Sequence, residues 1–227
     1  NLPICATDLL IDAVWNGADL RVNSAAAEIA GLTWQSNGSL SGPNFDNMAF
    51  EMSLQGGPGT LAGILGEYLG FPELEVKELY LNAVGSGSIA DPDINLRLSM
   101  RDANINNVAV SSMSIGARYE SDTLTVNSMR LSALDGSFDG HGYVLTDGSF
   151  ETSFRLDIKR TNLAELWSAI YGEVSPYSGF VYGDLLVSGS GKDIFGWRLQ
   201  ASINASKMRY RDRPIPDAEF GVSFEDN

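Results

Sequence analysis

The chain has 227 residues, enough for one or two domains, with 15 Lys and Arg against 29 Asp and Glu, a net charge of −14. So acidic a surface repels phosphate backbones and argues against nucleic acid as a partner. A single Cys and a single His leave no internal disulfide framework, thiolate metal cage or His-rich metal site, and no apolar run approaches the roughly 18 residues of a membrane-spanning helix.

In chain order the dominant signal is a period of two, in which successive side chains point to opposite faces of a strand. Asn37-Gly38 is read as a tight hairpin turn. Met48, Phe50, Met52 and Leu54 then alternate with other residues on the opposite parity. A change of period follows: Leu61, Ile64, Leu65, Tyr68 and Leu69 have helical spacing, with Pro58 suited to a first turn and Gly70 and Pro72 to a stop, which predicts a helix within 59–70. Asp91-Pro92-Asp93-Ile94-Asn95 begins like a calcium loop, but Leu96 stands where the sharp glycine turn is needed. Alternation resumes at Leu96, Leu98 and Met100, and again at Met113, Ile115, Ala117 and Tyr119.

Asp135-Gly136 and Asp147-Gly148 are read as turns, as is Gly140-His141-Gly142, which holds the one histidine. From Phe150 the apolar parity carries Phe150, Phe154, Leu156 and Ile158, and the other carries Glu151, Ser153, Arg155 and Asp157. Leu163, Leu166, Trp167, Ile170 and Tyr171 again have helical spacing, with Asn162 and Glu165 as a capping box and Gly172 as a stop, which predicts a second helix over 162–171. Gly189-Ser190-Gly191 is a turn signal; Trp197, Leu199, Ala201 and Ile203 alternate after it, and Phe220, Val222 and Phe224 close the series. Short strands with one wet face predict an all-β antiparallel sheet covered on one side only.

The pattern also repeats. Leu20-Arg21-Val22-Asn23-Ser24 resembles Leu124-Thr125-Val126-Asn127-Ser128, Gly38-Ser39-Leu40-Ser41-Gly42 resembles Gly136-Ser137-Phe138-Asp139-Gly140, and the stretch from Phe50 resembles that from Thr152. Two β-repeats are expected, 1–104 and 105–227, each with one helix. A start at Asn1 without Met and an end within a strand-like pattern read as a fragment of a longer protein.

The Gly-Ser-x-x-Gly turns at Gly38 and Gly136, the Gly-Ser-Gly turns at Gly85 and Gly189, the strand Gly196-Trp197-Arg198-Leu199-Gln200-Ala201-Ser202 and the short helix from Asn162 together resemble the AsmA-like and TamB families of Gram-negative envelope proteins. The resemblance covers most of the chain and lies in architecture more than in fixed residues. It implies an elongated antiparallel sheet curled into a U-shaped trough (a β-taco) with an apolar lining. The trough would belong to a protein anchored in the inner membrane and lie in the periplasm. Its implied role is non-enzymatic conduction of phospholipid between inner and outer membranes. For one branch it also implies help in outer-membrane protein assembly through an outer-membrane barrel partner.

The partners expected are therefore phospholipid acyl chains and neighbouring β-repeats of the same chain; neither metal nor cofactor is expected. Candidate lining residues are Met52, Leu98, Ile115, Phe150, Phe154, Leu156, Ile158, Trp197, Leu199, Ile203, Phe220 and Phe224. The alternatives are a structural or adhesive β-repeat with a closed core and, third, a transmembrane barrel, for which several strands are too short.

Overall fold

The structure, a computed structural model, describes the chain apart from residues 1–5, 18, 30–31, 43–45, 57–58, 61–73, 106–107, 192–196 and 226–227. The described strands form a single antiparallel sheet of fifteen strands. They are β1 (Ala6–Trp15), β2 (Leu20–Ile29), β3 (Leu32–Ser41), β4 (Asn47–Gly56), β5 (Gly59–Thr60), β6 (Leu74–Ser88), β7 (Pro92–Ile105), β8 (Val108–Glu120), β9 (Thr123–Ala133) and β10 (Gly136–Leu145). After β11 (Thr152–Asn162) comes the helix α1 (Leu163–Tyr171), then β12 (Tyr177–Gly189), β13 (Trp197–Tyr210), β14 (Arg213–Pro214) and β15 (Ala218–Glu225). Strand order follows chain order, with β5 against the start of β6 and both β14 and β15 on β13. The sheet does not close: among the described residues β1 pairs only with β2, and β15 only with β13.

Tight turns set the register. Ser121-Asp122, Leu134-Asp135 and Arg211-Asp212 each have positive φ at both central residues, the backbone of a two-residue hairpin that matches strand twist. The turn expected at Asp135-Gly136 is thus one residue earlier, and Gly136 opens β10 opposite Ala133. Gly148 and Gly191, at φ 99° and 86°, occupy the other two turns read from the sequence.

Three glycine signals are not turns. Asn37-Gly38 lies inside β3, Gly85 inside β6, and Gly140-His141-Gly142 inside β10, where His141 is exposed and pairs across from Arg155. The glycines there make room for aromatic rings. A Cβ on Gly85 would sit 2.3 Å from the Phe50 ring, one on Gly142 2.7 Å from the Phe154 ring, and one on Gly189 2.8 Å from Trp197. Glycine beside a cross-strand aromatic lets the ring lie over bare backbone, a stabilising pair in sheets.

Bulges interrupt the period of two. An extra residue in one strand would turn every later side chain to the wrong face. The apolar series corrects this with a step of three: Val22 to Ala25 in β2, Val126 to Met129 in β9, and Ile158 to Thr161 in β11, each across a register shift. The bulge residues of the first two, Asn23-Ser24 and Asn127-Ser128, lie in the two segments that resemble each other in sequence. The structure sharpens that resemblance: Val22, Gly38 and Phe50 stand side by side as Val126, Gly142 and Phe154 do, with one constant offset. Phe50 therefore corresponds to Phe154, and Gly38 to Gly142, rather than to Thr152 and Gly136.

The helix α1 forms as its caps predict. Asn162 accepts a hydrogen bond from the Ala164 amide at 3.0 Å, and Gly172 in the left-handed region ends the helix, its amide donating to the Ser168 carbonyl at 2.9 Å. It packs at the end of β11 and β12 with Trp167 5.5 Å from Tyr177. The helix expected near 61–69 lies outside the described residues.

Buried apolar residues among those described are few and mostly small: seven of the twelve are alanine. The one compact cluster joins Val76, Leu79, Met100, Ala103, Val110 and Ala133 on β6 to β9. The accessible surface is 14507 Å². A compact globule of 24.4 kDa would expose about 10,000 Å². The excess follows from a single layer, because most of the sheet's apolar side chains have no second sheet packed over them.

Candidate functional site

The pairing registers gather the apolar parity of successive strands into rows that cross the sheet. One row runs Leu54, Leu81, Leu98, Ile115, Met129, Gly140, Leu156, Leu185, Ala201 and Val222. A second runs Met52, Ala83, Leu96, Ala117, Val126, Gly142, Phe154, Val187, Leu199 and Phe224 through the same ladders. On either side lie a row containing Met100, Leu131, Phe138, Ile158, Ile203 and Phe220, and one ending at Gly189 and Trp197. No charged residue interrupts the two central rows.

Eleven of the twelve residues singled out from the sequence fall in these rows. Phe150 does not: β11 begins at Thr152, and Phe150 sits before it at φ 50° in the turn that follows Gly148. The hydrogen bonds from the Ser149 amide and hydroxyl to Asp147, at 2.9 and 2.6 Å, shape that turn and take Phe150 out of the ladder. Sequence reasoning missed Leu81, Met129, Leu185 and Val187. In β12 the run Leu185-Leu186-Val187 is apolar on both parities, so alternation gives no signal there, and in β9 the bulge at Asn127-Ser128 breaks it.

Burial along the rows is partial. Met52, Leu98, Ile115, Phe154, Leu156, Ile158, Trp197, Leu199 and Ile203 are half-buried, while at the β15 edge Phe220 and Phe224 are 52% and 55% exposed. Near the other edge a hollow of about 300 Å³ is lined by Ile11, Leu20, Val22, Trp34, Met48 and Phe50. A larger hollow of about 1030 Å³ lies on the opposite face and is polar, with Gln55, Lys77, Glu78, Arg101, Ser112 and Arg130 around it.

That opposite face is laced with ion pairs between neighbouring strands. Arg118 meets Asp93 at 2.7 Å and Glu120 at 3.1 Å; Asp139 accepts from Lys159 and, at 2.8 Å, from Arg130. The hydrogen bond from Arg118 holds the Asp93 carboxyl below its ordinary range, and those from Lys159 and then Arg130 do the same for Asp139. Asp93, in the segment that begins like a calcium loop, is thus engaged by an arginine while Ile94 and Leu96 continue as strand. Among the described residues no three His, Cys, Asp or Glu side chains cluster so as to hold a metal ion, and no helix is long and apolar enough to cross a membrane.

The arrangement offers hydrocarbon a wide, partly open apolar surface on one side of a sheet whose other side is wet and charged. No protein-family model, curated protein or solved structure gives a significant match to the chain.

Proposed function

We propose that the sheet is curled into a U-shaped trough and that its apolar face binds phospholipid acyl chains. On this reading the chain is a segment of an AsmA-like or TamB-like envelope protein, anchored in the inner membrane. Its trough lies in the periplasm and conducts lipid between the two membranes. Neighbouring β-repeats of the same chain would extend the trough, and an outer-membrane barrel protein is a further partner. The reading assigns no chemistry to the chain.

One observation carries it: apolar rows cross the sheet strand by strand yet stay only half-buried, on a molecule whose surface exceeds that of a globule of its mass. Bringing a ~16-carbon chain into water costs roughly 12 kcal/mol at about 0.8 kcal/mol per CH₂, and a continuous apolar surface removes most of that barrier. The glycines opposite Phe50, Phe154 and Trp197 keep the rings low against the backbone, which leaves the surface free of tall obstacles.

The cluster around Leu79 and Met100 favours the competing reading, a β-repeat whose apolar face is ordinary core. Photocrosslinkers placed at Phe154, Leu156 and Leu199, with a radiolabelled phospholipid, separate the two. Crosslinks at these positions, abolished by Leu199→Asp in a variant that still melts cooperatively, are the expected result. No crosslink at any of the three, with every charged variant unfolded, would mean a closed core and overturn the proposal.

A further inference from the structure

We infer that the end of the sheet built by α1, the loop after it and the β13–β14 turn is a docking surface for an anionic phospholipid bilayer. This goes beyond the apolar face and does not depend on it.

Two features coincide there. The first is a local concentration of basic residues at the β13–β14 turn. In a chain of net −14, Lys207, Arg209, Arg211 and Arg213 fall within one short stretch that holds only Asp212 as an acid. Lys77, Arg101, Arg118, Arg130, Arg155 and Lys159 are engaged by carboxylates, whereas these four, like Arg21 and Arg97 elsewhere, form no ion pair among the described residues. Arg209, Arg211 and Arg213 are exposed. Asp217 accepts from the Lys207 amide, not its ammonium, at 2.8 Å.

The second feature is apolar and aromatic. Ile170, Tyr171 and Val174 are 64%, 60% and 93% exposed at the end of α1 and in the loop beyond it, where Glu173 is the one acid. Tyr171 is tied to the basic turn by a chain of tilted ring contacts: Tyr171 to Trp167 at 4.4 Å, Trp167 to Tyr177 at 5.5 Å, Tyr177 to Tyr210 at 5.3 Å, and the Arg211 guanidinium 5.4 Å from the Tyr210 ring. The Arg211 amide donates to the Pro176 carbonyl at 3.0 Å, which joins loop and turn directly. An acidic protein partner would use the arginines but would leave Val174 and Ile170 without purpose. A bilayer uses both: tyrosine and aliphatic side chains enter the headgroup boundary while arginines meet phosphates. Because charges separated by more than about 8 Å are screened at physiological salt, the surface feels this end and not the net charge of the whole.

Flotation of the 227-residue chain with vesicles tests this. Binding to phosphatidylcholine mixed with an equal part of phosphatidylglycerol, weakened by salt, and little binding to phosphatidylcholine alone are expected. The triple variant Arg209→Glu, Arg211→Glu, Arg213→Glu is expected to lose about a hundredfold in affinity or more, since each basic residue near an anionic surface contributes about fivefold. Val174→Asp should weaken binding and remove a blue shift of Trp fluorescence on vesicle addition, while Arg155→Glu on the wet face leaves both unchanged. These residues are exposed, so circular dichroism should match the parent chain. Equal flotation with both vesicle types, a triple variant that binds like the parent, or binding to soluble polyglutamate as tight as to vesicles would overturn the assignment. Acyl-chain crosslinking on the apolar face is read at other residues and is unaffected by any of these outcomes.

Discussion

β7 and β15 carry the same pattern and meet opposite fates. Leu96, Leu98 and Met100 alternate with polar residues in one, and Phe220, Val222 and Phe224 in the other. β7 has β6 and β8 beside it, and Met100 is 5% exposed; β15 has β13 on one side only, and its three large side chains are 51–55% exposed. The sequence of a strand decides which face is apolar. How dry that face becomes is decided by neighbours that the strand does not encode, and here the large dry side chains Leu79 and Met100 lie in the cluster on β6–β9.

The largest expected effect breaks this contrast with a charge. Met100→Asp should prevent cooperative folding, because a buried unpaired carboxylate costs several kcal/mol against a marginal total. Phe224→Asp should lower stability by only about 1–2 kcal/mol, because the ring already meets water. Urea melts of the two variants decide; equal losses would mean that β15 is as enclosed as β7.

The second contrast uses glycine. A Cβ on Gly142 would lie 2.3 Å from the Ser153 carbonyl oxygen, whereas one on Gly221 in β15 would meet nothing within 4 Å. Gly142→Ala should therefore cost about 1–3 kcal/mol, and Gly221→Ala should be neutral or stabilise by up to about 1 kcal/mol through the unfolded chain. Thermal denaturation in parallel checks both signs.

A smaller effect concerns Thr161, buried on β11 with no hydrogen-bond partner for its hydroxyl among the described residues. Thr161→Val keeps the shape and removes an unpaid desolvation, so it should be neutral or stabilise by about 1 kcal/mol; a loss beyond that would reveal a partner for the hydroxyl.

The smallest effect is with pH. Asp93 and Asp139 titrate below the ordinary value of 3.8 when folded, so the unfolded chain takes up their protons first as pH falls. Their contribution is full above 3.8 and is lost as pH drops through the folded values. Both are exposed enough that solvent screening keeps it small. Chemical denaturation at pH 7, 5 and 3 should show little change over the first step and a decline over the second, reduced in Asp139→Asn.

Much of the sheet was legible as parity. β4, β7, β8, β11, β13 and β15 each carry their apolar face on one parity, and the register aligns those faces. The helix over 162–171 was legible through Asn162 and Gly172. Bulges were not, because an extra residue such as Asn127 is polar and looks like any residue on the wet face until its partners are known. Glycines misled for a related reason. Gly38, Gly85, Gly140 and Gly142 resemble turn residues in one dimension, and only the neighbouring strand shows that Gly85, Gly140 and Gly142 face an aromatic ring and that Gly38 lies against the Phe50 backbone. The basic stretch from Lys207 to Arg213 was not singled out among charges that look scattered along the chain, and its nearness to the loop that holds Val174 needed the ring contacts of Trp167, Tyr177 and Tyr210.

The strand order has a kinetic consequence. Every ladder joins strands that follow one another in sequence, apart from the short β5 and the β15 return to β13. Apart from the connections from Gly56 to Leu74 and from Asn162 to Tyr177, the loops to be closed are short, so little chain entropy is lost before the first contacts form. A sheet of this width would otherwise fold slowly, through pairings between distant segments. Here each strand can add to an existing edge as soon as it is available, and refolding should proceed by accretion from several starting hairpins rather than from one obligatory nucleus.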